Sequence, residues 1–371
     1  MVRDPATALD VDVSAEDLKE HFERNSFRGR EYVHLPDARH GLERGTAVFE
    51  DAVVRGYPSI PRVLVLDPGV PDFFAGVDEV IVEEKLNGYN VRVVRVDGDR
   101  LALTRGGYVC PWTTALVRER VPDAFFEEHP EACVCVEVVG EENPYTTFSY
   151  PEVDGAGIRV FDVRERTTGE PYPVRERRDR CGAYDLPQVG LLGRYDREDA
   201  VGSVREQVES LDERGREGVA LTSPAGRDVP KYTTSAIHRA DLAHAFALPF
   251  DYGRDFLFAR IVREAFQAVE FDEEPDAIRE RARDLGESLL VPAVETIREV
   301  RDGGTAGETH TVRGSPAVVD ELLRQFRDHG LEIEVEAERE DGDERVVTFT
   351  KVARSSQDRI QHFLEGGTID E

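Results

Sequence analysis

From about residue 75 to 233 the apolar positions fall into short, Val-rich runs separated by turn residues. After about residue 235 they recur at three- and four-residue spacing. The first pattern predicts strands and the second helices. Glu79 to Glu84 and Tyr89 to Val96 read as strands on either side of a tight turn through Asn87-Gly88. Asp97-Gly98-Asp99 reads as a hairpin turn into Leu101 to Thr104. Glu131 to Val139, Ile158 to Val163, Val219 to Thr222 and Val229 to Thr233 read as further strands, with a polar helix over Asp199 to Glu213. Hairpins outnumber strand–helix–strand crossovers, so the sheet is expected to be antiparallel.

The flanks carry weaker patterns. Ser14 reads as an N-cap with an acid at Asp17, opening a short helix marked by Leu18, His21 and Phe22. Tyr32 to Leu35 and Thr46 to Phe49 read as strands of a small module, and Pro58, Pro61, Pro68 and Pro71 punctuate its end. His238 to Phe246, Arg254 to Val269 and Pro275 to Val300 read as helices. Asp302-Gly303-Gly304 reads as a hinge into an α/β module: a strand near His310 to Val312, a helix from Ser315 and Pro316 to about His329, and two strands around Asp341-Gly342-Asp343. The expected division is an N-terminal module over 1–75, a β-rich domain over 76–237, a helical domain over 238–303 and a C-terminal α/β domain over 304–371.

Composition narrows the class. The 371 residues include 76 acidic and 47 basic ones, a net charge of -29, and the mean hydropathy is -0.46. The acid is spread along the whole chain, as suits a soluble protein of a high-salt cytoplasm, where the Debye length falls to about 3 Å at molar salt. Global charge then says little about nucleic acid, and binding would rest on local arginines. The N-terminal stretch has no apolar h-region and no run approaches a membrane span, so a cytoplasmic location without a membrane partner is expected. The four cysteines lack CxxC spacing, which argues against a disulfide framework or a zinc site. Cys133 and Cys135 are expected on one face of a buried strand.

Lysine usage points to chemistry. Only four of the 47 basic residues are lysine: Lys19, Lys85, Lys231 and Lys351. An amine can shed its proton and act as a nucleophile, whereas a guanidinium stays charged. Lys85 is therefore a candidate for covalent chemistry, with a surface lysine at a turn as the bland alternative. Glu83 lies two residues earlier, so strand alternation directs both side chains to one face. Glu137 sits among apolar residues, where an unpaired carboxylate would be costly. The wider set is Lys85-Leu86-Asn87-Gly88, Arg105-Gly106-Gly107, Glu137-Val138-Val139-Gly140, Phe161-Asp162-Val163, Glu217-Gly218-Val219 and Pro230-Lys231-Tyr232.

In order, spacing and strand context this set resembles the covalent nucleotidyltransferases: ATP-dependent ligases and capping enzymes. The Lys-x-Asn-Gly form, continued as Tyr89-Asn90-Val91-Arg92, is most similar to the homodimeric archaeal-type ATP-dependent RNA ligases. The resemblance covers residues 83–233 and, more loosely, the flanks. It implies an α+β fold: an antiparallel-sheet, ATP-grasp-like nucleotidyltransferase core, with a small N-terminal module and helical plus α/β C-terminal modules. It also implies that Lys85 attacks the α-phosphate of ATP to give a lysyl–AMP phosphoramidate. To do so the amine must be neutral, and Lys231 and a bound metal are expected to lower its pKa.

The resemblance implies further roles. Glu83 would accept from the adenine amine, with Glu84 able to exchange roles. Phe161 would stack on adenine or pack the core, with Asp162 beside it. Asn87 and Gly88 would use positive φ to bring backbone close to the nucleotide. Arg105 would reach ribose or an incoming 5′-phosphate, and Glu137 the ribose hydroxyls or a metal-bound water. Glu217 would contact Mg²⁺ (or Mn²⁺), and Lys231 the α-phosphate. Related enzymes often carry two lysines in this last motif; here Val229 and Thr233 flank Lys231, so one is missing. RNA with 5′-phosphate and 3′-hydroxyl ends is the implied substrate. The helices over about 240–300 are the natural dimer surface, or else pack on the catalytic domain. A DNA ligase, a capping-type enzyme and a non-catalytic RNA-end-binding protein stay as alternatives. Asn87 in place of Asp, and helices where an OB-fold would follow, weigh against the first two. Retention of both motif lysines weighs against the third.

Overall fold

The computed structural model describes residues 5–9 and 15–368, so the expected Ser14 cap lies outside the described residues. Helices α1 (Pro5–Ala8) and α2 (Ala15–Lys19) precede a four-stranded meander, β1 (Glu23–Phe27), β2 (Arg30–His34), β3 (Ala47–Val48) and β4 (Val53–Val54). Arg28 and Gly29, with φ of 50° and 80°, close the first hairpin, as a two-residue turn of matching twist requires.

After helix α3 (Leu66–Phe73) come β5 (Glu79–Lys85), β6 (Tyr89–Val96), β7 (Asp99–Thr104), β8 (Ala132–Val139), β9 (Gly157–Glu165), β10 (Leu191–Asp196), β11 (Gly218–Thr222) and β12 (Lys231–Thr233). They form two sheets, ordered β10-β5-β11-β12 and β7-β6-β8-β9. Every pairing within them is antiparallel. Because β5 and β6 belong to different sheets, Asn87-Gly88 is not a hairpin turn but the crossing from one sheet to the other. Neither residue has positive φ, which corrects that expectation.

The β7-β6-β8-β9 sheet is packed on both faces, the β10-β5-β11-β12 sheet against α7 on one. In β8, Ala132, Val134, Val136 and Val138 pack with Trp112 and Val117 of α4 (Pro111–Arg120) and Phe125 and Phe126 of α5 (Asp123–Glu128). Cys133 and Cys135 point the other way, into a core with Phe27, Tyr32 and Phe49 of the N-terminal meander. At about 1.5–3 kcal/mol per large apolar side chain buried, such a strand can keep one carboxylate, Glu137, toward its end. In β5, Val80 and Val82 pack with Val204, Val208 and Leu211 of α7 (Ala200–Glu213), which leaves Glu83 and Lys85 on the opposite face. Helix α6 (Val174–Ala183) lies over β9.

Helices α8 (Ser235–Ala247), α9 (Arg254–Glu270) and α10 (Pro275–Arg301) follow. The chain ends in β13 (Gly307–Gly314), α11 (Pro316–Asp328), β14 (Ile333–Asp341), β15 (Glu344–Val352) and α12 (Arg354–Leu364), with the three strands ordered β13-β15-β14. Ser315 stands at the N-cap of α11 but makes no side-chain cap bond. Val319, Leu322 and Phe326 of α11 join the same core as β8, so this α/β unit is packed on the central sheet. Among the described residues no helix is long and apolar enough to cross a membrane.

Candidate active site

The two central sheets face each other across a cleft of about 560 Å³, a size suited to a nucleotide-sized ligand. Glu83, Lys85, Asn87, Gly88, Arg105, Glu137, Phe161, Glu217 and Lys231 all line it. The register explains the gathering. Lys85 pairs with Gly218 across β5 and β11, which sets Glu217 beside the amine, and Lys85 Nζ donates to Glu217 Oε2 at 2.8 Å. Asn90 pairs with Glu137 across β6 and β8, bringing the second sheet's carboxylate to the same opening.

The backbone between the sheets is held at close quarters. A Cβ on Gly88 would collide with the Val138 carbonyl and meet Val139 Cγ1 at 2.9 Å. Close approach, not a left-handed conformation, is why glycine stands there. The Gly88 N–H donates to Glu137 Oε1 at 3.1 Å, and the Asn87 N–H donates to Tyr150 Oη at 2.6 Å.

Charge in the cleft departs from the expectation for the nucleophile. Burial works against the Lys85 ammonium, but the carboxylates of Glu217 and Glu137 outweigh it and hold its pKa above that of free lysine. The resting amine is protonated. The cation pressing Lys85 toward neutrality is Arg62, a residue that the sequence reading passed over. Burial, reinforced by the Glu217 charge and opposed by Lys85, pushes Glu137 up to about 7. Burial and the charges of Lys85 and Arg62 pull Lys231 down to about 8.

On the far side of the cleft Glu83 is 3% exposed. Its Oε1 accepts from Arg177, and from Arg178 Nη1 at 2.7 Å. Oε2 makes no hydrogen bond among the described residues, so one acceptor stays available. Arg177 also donates to the Phe161 carbonyl. The Phe161 ring meets Tyr57 edge-on at 5.1 Å between centroids, and both line the cleft. Asp162 is buried and paired with Arg164 at 2.8 Å. Glu84 has its nearest cation, Arg216, at 3.9 Å.

Several cleft residues escaped the sequence reading: Arg62, Arg177, and Arg260 and Arg263 of α9. Arg177 lies 94 residues from Glu83, and no local pattern links them. Arg105 reaches Ser59 Oγ at 3.3 Å. No carboxylate forms a salt bridge with Arg62, Arg105 or Lys231 among the described residues, in a chain where acids outnumber bases 76 to 47.

No group of three or more His, Cys, Asp or Glu is placed to hold an ion among the described residues. Mg²⁺ is commonly held through one or two carboxylates together with substrate phosphates and water, and Glu217 and Glu137, both lining the cleft, fit that arrangement.

The family described as RNA ligase matches residues 78–234, and that described as ligase Pab1020 C-terminal region matches residues 244–367. An uncharacterized protein of Methanocaldococcus jannaschii is 38% identical over 374 residues, covering 96% of this chain and 94% of its own length. Two solved forms of an archaeal ATP-dependent RNA ligase are each 39% identical over 97% of both chains, with TM-scores of 0.90 and 0.91. A putative ATP-dependent DNA ligase from Aquifex aeolicus is 27% identical, with a TM-score of 0.89 over 96% of this chain and 100% of that one. With identity and fold shared along nearly its whole length, the chain belongs to the archaeal ATP-dependent RNA ligase family.

Proposed function

We propose that this chain is an ATP-dependent RNA ligase that works through an AMP carried on Lys85. The observation that carries the reading is Lys85 on the cleft wall, hydrogen-bonded to Glu217 at 2.8 Å, in a chain with only four lysines among its 47 basic residues. In the first step Lys85 gives up its ammonium proton to solvent, and the neutral amine attacks the α-phosphorus of ATP, losing a second proton to solvent as the phosphoramidate forms. The N–P bond forms, the bridging P–O bond breaks and pyrophosphate leaves. An RNA 5′-phosphate oxygen then displaces the amine to give AppRNA, and Lys85 regains a proton. A 3′-hydroxyl finally attacks the activated 5′-phosphate and AMP departs. Positioning and cation stabilisation dominate such transfers.

Burial and charge support the division of labour. Lys85 is held protonated by Glu217 and Glu137. With both carboxylates turned to another cation, burial and the Arg62 charge would drive the amine toward its neutral form. Glu217 and Glu137 would hold Mg²⁺, or Mn²⁺, jointly with phosphate oxygens, and the ion would supply neutralisation of phosphate charge. Lys231 would hold the α-phosphate, and Arg105 ribose or the RNA 5′-phosphate. The free oxygen of Glu83 would accept from the adenine amine, Phe161 would stack on the base, and Asn87 and Gly88 would bring backbone to the nucleotide.

A second copy of the chain would cover the helical unit. Phe258, Val269 and Leu290 are 64%, 80% and 67% exposed, apolar surface that a partner would cover.

The test is incubation with α-labelled ATP and Mg²⁺ in high salt. An acid-labile, base-stable label on the protein is expected, absent from Lys85→Ala. Label that persists in that variant, or none at all, overturns the covalent mechanism; label from GTP alone moves the reading to capping. Sealing of 5′-phosphorylated RNA, set against nicked DNA, separates the two ligase readings.

A further inference from the structure

We propose that Arg62 is the second cation of the phosphate site, gripping the triphosphate of ATP beside Lys231 and the pyrophosphate as it leaves. This rests on the function proposed above and adds a residue that no motif includes. Arg62 forms a parallel bridge with Lys231: the Val63 N–H donates to the Lys231 carbonyl, and the Lys231 N–H to the Pro61 carbonyl, each at 3.0 Å. Paired residues on neighbouring strands project to one face, and both side chains line the cleft.

The guanidinium is held in place from behind. Arg62 Nη1 donates to Thr233 Oγ1, and Thr233 Oγ1 lies 2.7 Å from His238 Nε2. His238 Nδ1 lies 2.6 Å from Glu264 Oε1, and Glu264 Oε2 accepts from Ser235 at 2.6 Å and from Arg281 at 2.5 Å. The chain has one consistent polarity. Glu264 must accept from Nδ1–H, so a neutral His238 has Nε2 free to accept the threonine proton. Thr233 then turns a lone pair to Arg62. Thr233 thus positions an arginine beside Lys231, in a motif where related enzymes often carry a second lysine.

Among the described residues the guanidinium lacks an anion. Glu217 and Asp241 act on it electrostatically, but neither approaches to salt-bridge distance. A partly desolvated cation without a counterion is costly, and Arg matches phosphate oxygens in bidentate fashion. The chemistry next to it, Lys85 poised against an α-phosphorus, supplies that anion.

The experiment uses the full-length enzyme with two substrates: ATP, and pre-adenylated AppRNA with a 3′-hydroxyl acceptor, which needs no triphosphate. In Arg62→Ala, enzyme–AMP formation is expected to fall about 100-fold, the size seen when one charge-stabilising donor is removed. AppRNA sealing should stay near wild type, which also shows that the variant is folded. Arg62→Lys should retain part of the activity with ATP, and Val229→Lys in the Arg62→Ala background should restore part of it. Unchanged adenylylation in Arg62→Ala, or equal loss with both substrates, overturns the assignment. Failure of the wild-type enzyme to seal AppRNA would instead count against ligation itself.

Discussion

The amine of Lys85 rests on Glu217, 2.8 Å away, so the proposed nucleophile and the proposed metal ligand neutralise each other before substrate binds. Lys231, in the same cleft, has no such partner among the described residues, and burial with the Lys85 and Arg62 charges lowers its pKa to about 8. The two lysines should therefore differ in amine reactivity. At pH 8, without ATP, Lys231 is expected to react with a small acylating reagent faster than Lys85, read by mass spectrometry in a chain with four lysines. Glu217→Gln removes a stabiliser of the ammonium and should raise the Lys85 rate. Equal rates in the wild type, or no gain in the variant, would show that Glu217 does not control the amine.

Glu83 and Arg177 form an ion pair in which both side chains are 4% exposed. Removing one partner strands a buried charge, at a typical cost of about 3–5 kcal/mol. Arg178 still reaches Glu83 at 2.7 Å, so Arg177→Met is expected near the lower end, about 3 kcal/mol, by denaturant unfolding. Glu83→Gln combined with Arg177→Met leaves only Arg178, which is 22% exposed, without its carboxylate and should recover part of the loss. If the double variant is as unstable as the sum of the singles, the pair is not coupled in this way.

These two pairs mark what the sequence could and could not reveal. Strand alternation put Glu83 and Lys85 on one face, because period two survives wherever a strand keeps both faces occupied. Arg177 was hidden because α6 reads VRERRDRCGA, with six of its ten residues charged. Only Val174, Arg177 and Cys181 of it are buried, and the arginine in the core is indistinguishable from its solvated neighbours. Helix α4 was missed for the opposite reason. Pro111, Trp112, Thr113 and Thr114 are buried in succession, which erases the helical stripe. Strand β10 (Leu191–Asp196) is a half-exposed edge strand with little alternation to read. Asn87-Gly88 looked like a hairpin because a dipeptide carries no information about which sheet the next strand joins.

Gly88 tests that crossing directly. A side chain there meets backbone, the Val138 carbonyl, which cannot swing aside. Gly88→Ala should push the segment from Lys85 to Tyr89 away from β8 and weaken the Gly88 N–H contact to Glu137. Overpacking of this kind costs about 1–3 kcal/mol. The expected signature is a modest loss of melting temperature with a much larger loss of enzyme–AMP formation. Gly76→Ala, where a Cβ meets nothing within 4 Å, separates crowding from glycine loss in general, since its φ of 86° brings backbone strain without a collision. Adenylylation equal to wild type in Gly88→Ala would show that the close approach is not needed.

Exposed apolar side chains on the helical unit predict assembly. Phe258 and Leu290, on α9 and α10, are 64% and 67% exposed. Charge placed on a buried interface is costly, so Phe258→Asp with Leu290→Asp should convert a dimer to a monomer by light scattering, leaving the melting temperature near wild type at low protein concentration. A wild-type chain that runs as a monomer at high concentration and high salt would remove the dimer from the proposal.

Lys351 predicts a pH dependence of stability. Its ammonium is packed 5.0 Å from the ring centroids of both Tyr145 and Phe326, and it donates to the Pro144 carbonyl. This fastens β15 to the loop beside the cleft. Burial lowers its pKa to about 8, against the opposing pull of Glu308, whereas an unfolded lysine titrates near about 10.4. Between those values the unfolded chain binds more protons than the folded one, so this group makes stability rise with pH through that window. Below pH 8 both states are protonated and the burden of the buried charge is constant. Lys351→Met removes the titration. The difference in unfolding free energy, wild type minus variant, should therefore be flat below pH 8 and climb from about pH 8 to pH 10. A difference that is flat throughout, or falls, would mean that the Lys351 ammonium is not depressed, and that the C-terminal unit is held to the cleft loop by packing alone.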